Sequence, residues 1–161
     1  MERIFLDQSK CTGCRLCEAI CSLVHEGEIN PTKSRIKIVR TVENSILYTF
    51  PVYCLQCEDP RCAAVCPVKA ITRDDNGISF VDQNKCIGCK LCEIACPVGA
   101  IAVHADPGIS LKCDFCKGLD GPACVEYCFT GAIQLLPSAR VGMILARLNA
   151  EKFLELAGKE A

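Results

Sequence analysis

At 161 residues the chain is one ordinary domain or two very small ones, with room for only a modest apolar core, so any large catalytic pocket would have to be shared with a partner. Its sixteen cysteines lie well above the level that signals a disulfide scaffold or a metal protein, and they inflate the 50% hydrophobic fraction with thiols that are not ordinary core side chains. The formal charge of -1 excludes the basic character of a nucleic-acid binder.

The opening residues, MERIFLDQ, have neither the basic start and apolar run of a secretory signal nor a twin-arginine pair. Cytoplasm is therefore the expected location, where so many cysteines point to metal before disulfides. RIFL at 3–6 reads as a strand. The first cysteine quartet follows, at 11, 14, 17 and 21 within DQSKCTGCRLCEAIC. The cysteine-free stretch 22–53 contains a loop at EINPTKS and then a strand at RIKIV, 35–39. It suits a covering sheet or a partner surface, or a mere spacer.

The second quartet, at 54, 57, 62 and 66, closes on CPVKAI. A tight DDNG turn at 74–77 then leads into a strand at ISFV, 78–81. The third quartet, at 86, 89, 92 and 96 within DQNKCIGCKLCEIAC, repeats the first nearly residue for residue and closes on CPVGAI, with a strand at IAVH, 101–104. The fourth, at 113, 116, 124 and 128, closes on CFTGAI before a strand at IQLL, 133–136. After Pro137 the sequence reads as a helix, with Ser138 as its cap and Val141, Ile144, Leu145 and Leu148 at helical spacing. Its most apolar run, VGMILARL, contains Arg147 and is far too short to cross a bilayer. Such internal self-similarity marks two copies of a two-quartet unit, or four diverged half-units.

The first and third quartets have the form C-x2-C-x2-C-x3-C, while the second widens its middle gap to four residues and the fourth to seven. Three thiolates separated by two residues wrap a loop around three corners of a cube of four irons and four sulfides, and in two-cluster proteins the fourth cysteine serves the neighbouring cluster. Cys92 and Cys96, four residues apart on a helical turn, share one face and suit a wedge between two clusters, and Pro97 favours an exit from the helix. Zinc sites instead combine two well-separated C-x2-C knuckles. The expectation is four [4Fe-4S] clusters, each adding about -2, for a net charge of roughly -9. The fold expected is α+β: tandem bacterial-type two-[4Fe-4S] ferredoxin-like units with short antiparallel strands and a C-terminal helix.

Across residues 4–136 these quartets resemble the four-cluster, ferredoxin-like electron-transfer subunits of molybdenum and tungsten oxidoreductases. SLVHEGEINPTKSRIKI after the first quartet is most similar to the small iron–sulfur subunits of tungsten-dependent aldehyde oxidoreductases and of carbon monoxide dehydrogenase. The helical pattern after Pro137 makes 138–161 an expected docking segment, and the resemblance implies a four-cluster domain over 1–137. It also implies a nested pairing. Cys11, Cys14, Cys17 and Cys128 hold one cluster, and Cys113, Cys116, Cys124 and Cys21 its neighbour. Cys54, Cys57, Cys62 and Cys96 hold a third, and Cys86, Cys89, Cys92 and Cys66 a fourth. Spacing alone does not supply this nesting. The implied function is a non-catalytic relay of single electrons between a large molybdenum or tungsten subunit and a second soluble redox subunit such as a flavoprotein. Many periplasmic members of the family meet a membrane subunit through a long C-terminal extension; none is expected here, which favours soluble partners. The competing readings are a freely diffusing polyferredoxin, a subunit serving carbon monoxide dehydrogenase or hydrogenase, and, from a different class, an iron–sulfur enzyme or sensor.

Around the clusters, Gly13 and Gly88 are expected to let backbone N–H groups approach sulfur. Lys10, Lys85 and Lys112 each precede a quartet, either to offset cluster charge or as ordinary solvated lysines. His25 and His104 are expected to be structural or surface residues, and Tyr53, Phe115 and Phe129 to shield clusters from water. Ser22 and Phe129 stand where Pro67 and Pro97 follow the other fourth cysteines, so a different exit path is expected in the outer pair. Protein purified without oxygen should carry about sixteen iron and sixteen acid-labile sulfide per chain; stoichiometric zinc without sulfide would refute the cubane reading.

Overall fold

The computed structural model describes residues 2–157. Eight short strands make four separate two-stranded antiparallel sheets. β1 (Glu2–Leu6) pairs with β8 (Ile133–Pro137), and β2 (Lys37–Glu43) with β3 (Ile46–Val52). β4 (Ile71–Arg73) pairs with β5 (Ser79–Val81), and β6 (Ile101–Val103) with β7 (Ser110–Lys112). A two-stranded ribbon is marginal by itself in water, so each must be held by what it packs on. Helices α1 (Leu16–Glu26), α2 (Arg61–Ala64), α3 (Leu91–Ala95) and α4 (Ala123–Glu126) each carry two members of a quartet, within the helix or just beyond its end, and α5 (Ser138–Ala157) follows β8 directly.

The packing is nested. α1 lies against α4 and α2 against α3, while the β1–β8 ribbon, with Leu6 opposite Ile133, ties the first quartet's flank to the last. The chain therefore does not divide between its halves. The larger apolar cluster joins Ile4, Ile36, Ile38, Phe115 and Ile133 to Cys17, Cys21 and Cys124, and the smaller joins Ile71 and Ile101 to Cys92. Cysteines thus occupy core positions that aliphatic side chains fill in an ordinary domain of this size.

The consequence of Ser22 is visible in α1. Proline would end the helix after Cys21; with serine there the helix runs on to Glu26 and stops at Gly27 (φ 73), whose N–H returns to the Leu23 carbonyl at 2.9 Å. Ser22 is fully buried; its hydroxyl donates to the Ala19 carbonyl at 2.9 Å and accepts the Asn30 N–H at 3.0 Å, which fixes the returning loop. α3 instead ends at Ala95 with Cys96 extended before Pro97. The other exit is unaltered: Gly131 N–H bonds the Cys128 carbonyl at 2.9 Å, just as Gly99 bonds Cys96 at 3.3 Å, so Phe129 leaves by the same turn as the prolines.

Within the stretch 22–53, residues 22–26 complete α1 and 37–52 form a covering hairpin, with β2 starting at Lys37 instead of 35. Buried Glu18 on α1 accepts the Ile38 N–H at 2.9 Å, Gln8 Nε2 donates to the Thr49 carbonyl at 2.6 Å, and Arg40 donates to the Gly13 carbonyl. These bonds clamp the hairpin over the first quartet. Strands β3, β4 and β7 are additional to the five that the sequence predicts. The turn before β5 forms as expected, with Asp74 Oδ1 accepting the Asn76 and Ile78 N–H groups at 3.1 and 2.8 Å. The expected C-terminal helix begins at Ser138 itself, and residues 158–161 lie outside the described residues. No helix among the described residues is long and apolar enough to cross a membrane.

Gly88 and Gly99 separate two reasons for glycine. Both sit in the left-handed region (φ 64 and 65), but a methyl group at Gly99 meets nothing, whereas at Gly88 it would collide with the Gly108 carbonyl. Gly99→Ala should cost about 1–2 kcal/mol for the backbone alone. Gly88→Ala should cost at least ~1 kcal/mol more through the clash. Denaturant melts of the reconstituted variants check the difference; equal losses would refute it.

Candidate metal centres

Four cavities are lined by four cysteines each. Cys11, Cys14, Cys17 and Cys128 face one; Cys21, Cys113, Cys116 and Cys124 a second; Cys54, Cys57, Cys62 and Cys96 a third; Cys66, Cys86, Cys89 and Cys92 a fourth. In each, three thiols come from one quartet and one from another. Their volumes, about 350, 340, 410 and 330 Å3 including the open mouths, are close enough to suit one kind of occupant.

Adjacent cavities share structure. Cys17 and Cys21 project from α1 into the first and second, and α4 with the turn after it carries Cys124 and Cys128 into the same two. The third and fourth are joined likewise by Cys62 and Cys66, and by Cys92 and Cys96. The second and third meet differently, through Gln56, whose Nε2 donates to the Cys113 carbonyl at 2.7 Å.

The walls fit a multi-atom cluster of sulfide and iron better than a single ion. Among the described residues no group of three or more His, Cys, Asp or Glu side chains converges as one ion requires; the thiols stand around a space instead. Of the three buried polar atoms that make no hydrogen bond among the described residues, Glu26 Oε1 meets Arg35 Nη2 in an ion pair at 3.0 Å, and the other two, Ser79 Oγ and Arg35 Nη1, belong to residues that line the third and second cavities. Each of these two is a donor where sulfur would be the acceptor, and an unsatisfied buried donor is costly.

Donors to the thiols themselves are already placed. Backbone N–H groups of Arg35, Gln56, Ala70, Ala100, Ser110 and Ala123 reach Cys21, Cys54, Cys66, Cys96, Cys86 and Cys116 at 3.3–3.5 Å. The Ser110 and Thr130 hydroxyls lie 3.4 and 3.5 Å from Cys92 and Cys128. Hydrogen bonds to ligand sulfur raise cluster potentials. Gly13 and Gly88 are not among these donors. Their lack of a side chain instead admits Thr49 and the Gly108 carbonyl, the chain's own cover.

Burial pushes most of these thiols up: Cys17 to about 12, with Glu18 adding to it, and Cys62, Cys92, Cys113, Cys116 and Cys124 also upward. Cys128 is lowered, because bonds from Thr130 and nearby N–H groups outweigh burial. Cys21 is lowered too: burial pushes it up, but His25 and the Arg35 N–H outweigh that. His25 Nε2 sits 2.9 Å from Asp114 Oδ1, and its Nδ1 lies 2.8 Å from the Cys21 carbonyl and 3.8 Å from its sulfur. Burial lowers the imidazole, but Asp114 and Cys21 outweigh it and raise it to about 10, so it carries charge at neutral pH beside the second cavity. Nothing in the spacing of a lone histidine and an aspartate 89 residues apart could have revealed that pair. His104 is a loop residue, bonded to the Asp106 carbonyl at 2.6 Å.

The three lysines part company. Lys10 and Lys85 lie on the surface, paired with Asp7 at 3.4 Å and Asp82 at 2.9 Å. Lys112 is buried, 4% exposed, on the wall of the third cavity. Of the aromatics, Phe115 is buried and Tyr53 lines the second cavity, but Phe129 is 73% exposed and shields nothing, because its turn points it outward.

Residues 45–137 match the 4Fe-4S dicluster domain family, and residues 8–26 a 4Fe-4S binding domain. The chain is 38% identical to the electron transport protein HydN of Escherichia coli, over 92% of this chain and 93% of that one. It is 40% identical to the polyferredoxin-like subunit of the aliphatic sulfonate oxidoreductase of Pyrococcus furiosus, over 78% of this chain and 70% of that one. A chain of the BamBC active-site complex of benzoyl coenzyme A reductase superposes with a TM-score of 0.52 at 27% identity, covering 93% of this chain and 89% of that one. With sixteen cysteines gathered around four cavities, the chain carries four [4Fe-4S] clusters and belongs to the family of ferredoxin-like 4Fe-4S electron transport proteins that serve oxidoreductases.

Proposed function

We propose that this chain is the relay subunit of a cytoplasmic molybdenum- or tungsten-dependent oxidoreductase, an aldehyde oxidoreductase in the closest reading, and carries single electrons between the large subunit and a second soluble redox subunit. The observation that carries the reading is the row of four cysteine-lined cavities in which each shares structural elements with the next. A [4Fe-4S] cluster supplies one-electron chemistry, with potentials of about -700 to +450 mV set by its surroundings. The chain supplies everything else. The four cysteines facing each cavity would hold one cluster, giving the nested assignment implied by the family resemblance.

The remaining residues act on potential and access. Ile4, Ile36, Ile38, Phe115 and Ile133 keep water from the outer pair, and Ile71 and Ile101 from the inner. The backbone N–H groups that reach sulfur offset negative charge at fixed geometry. No residue is assigned a catalytic role, since every cysteine is used in a complete set of four and proton transfer is not required.

A lasting partnership is favoured over free diffusion by apolar surface beyond the cluster packing. Val42, Ile46 and Leu47 at the tip of the β2–β3 hairpin are 55–67% exposed, and Met143, Phe153 and Leu154 stand out from α5. Contiguous exposed apolar surface marks interaction sites. The aliphatic sulfonate oxidoreductase of Pyrococcus furiosus, whose polyferredoxin-like subunit is similar to this chain, supports an oxidoreductase as partner.

Two outcomes check the reading. In the isolated protein, Cys66→Ser and Cys89→Ser should alter the same EPR signal while Cys62→Ser alters another; Cys66 and Cys62 acting on one signal would overturn the nested assignment. Protein tagged in its native host and purified without oxygen should retain stoichiometric molybdenum or tungsten at moderate salt. Val42→Asp with Leu47→Asp should lose that metal at least tenfold while keeping its own iron. An exclusively monomeric wild type would favour the free polyferredoxin.

A further inference from the structure

Three junctions link the four cavities, and only the middle one lacks a helix bearing cysteines of both neighbours. Lys112 occupies it. The residue ends β7, is 4% exposed, and lines the cavity of Cys54, Cys57, Cys62 and Cys96, while the next residue, Cys113, faces the second cavity. Its ammonium donates to the Ser79 carbonyl at 2.7 Å, the Cys113 carbonyl at 3.2 Å and Gln56 Oε1 at 3.3 Å. All three acceptors are neutral.

The other buried cations nearby are compensated. Arg35 meets Glu26 at 3.0 Å and His25 meets Asp114 at 2.9 Å. Lys112 forms no ion pair among the described residues. A buried ammonium without a carboxylate is expensive, and its site becomes favourable once negative charge is placed beside it. Each oxidised cluster with four thiolates carries about -2, and reduction adds one more negative charge. Gln56 fixes the ammonium's place: it is 1% exposed, its Oε1 also accepts the Ser79 N–H at 2.9 Å, and Arg3 donates to its backbone carbonyl.

We infer that Lys112, held by Gln56 and Ser79, is a positioning charge that raises the reduction potential of the cluster in the Cys54 set above its neighbours, so that an electron crossing between the outer and inner pairs settles there. This rests on the four-cluster relay reading. The charge acts most strongly on the cavity it lines, less on the Cys21 set across the Cys113 carbonyl, and negligibly on the two end cavities. Lys10 and Lys85, exposed and paired, have no comparable effect.

The test is an anaerobic EPR titration with dithionite and mediators on the full chain carrying its clusters, with iron and sulfide counted first. Lys112→Met removes the charge; Gln56→Glu leaves it but places a carboxylate against it. Each should make one cluster harder to reduce by about tenfold, ~59 mV for one electron, while Lys112→Arg and Lys85→Gln leave the potentials within a third of that. The shifted signal should be the one altered by Cys62→Ser. Full loading with unshifted potentials in Gln56→Glu overturns the inference even if Lys112→Met fails to load. A wild type that carries fewer than four clusters overturns the relay reading instead.

Discussion

Everything in this fold depends on the cost of placing sixteen thiols around four spaces in a chain too small to spare them. Burial disfavours the thiolate, as the raised Cys17, Cys113 and Cys124 show, yet iron binds only the thiolate. Coordination therefore does what an aliphatic core does elsewhere: it offsets the cost of ordering the chain, and binding of metal and folding become one equilibrium. The four ribbons of three to seven residue pairs and the one-turn helices make sense only as lids on such centres. The Ser22 exit, the Glu18 bond to the hairpin and the Gly88 contact with Gly108 are devices for holding those lids down.

Much of this was legible because it is local. A cysteine spacing encodes a loop around a cube, and RIFL, IAVH and IQLL each end up in a strand at nearly the predicted bounds. The unforeseen elements fail for physical reasons. ILYTFPV has proline near its end, and its register is set by pairing with β2, while SLK is three residues long and owes its strand to β6 and to burial on every side chain. Each of these strands pairs with its neighbour in the chain, Lys37 with Val52 and Ile101 with Lys112 at the far ends, so what the local pattern left out was the pairing itself.

The same limit governs the sites. Lys10, Lys85 and Lys112 each stand one residue before a quartet, and only the setting differs, DQSK and DQNK against ISLK; the approach of Gln56 and Ser79 separates the buried one from the two in water. Phe129 and Phe115 both neighbour cysteines, yet a turn sends one outward and packing draws the other in. His25 gains its charge from Asp114, 89 residues on. Which thiols share a cavity followed from family resemblance alone, since any spacing rule is silent on how two quartets interlock.

That interlocking bears on biosynthesis. A ribosome releases the chain from its amino end, so the cysteine sets of the two inner cavities are complete once residue 96 has emerged and their walls once residue 112 has, whereas the first set waits for residue 128 although three of its four members lie at 11, 14 and 17. The opening quartet must persist as an unfinished claw through more than a hundred residues of synthesis. The cysteine sets thus become available from the centre outward, and β8, the last strand of the described residues, pairs with β1, the first.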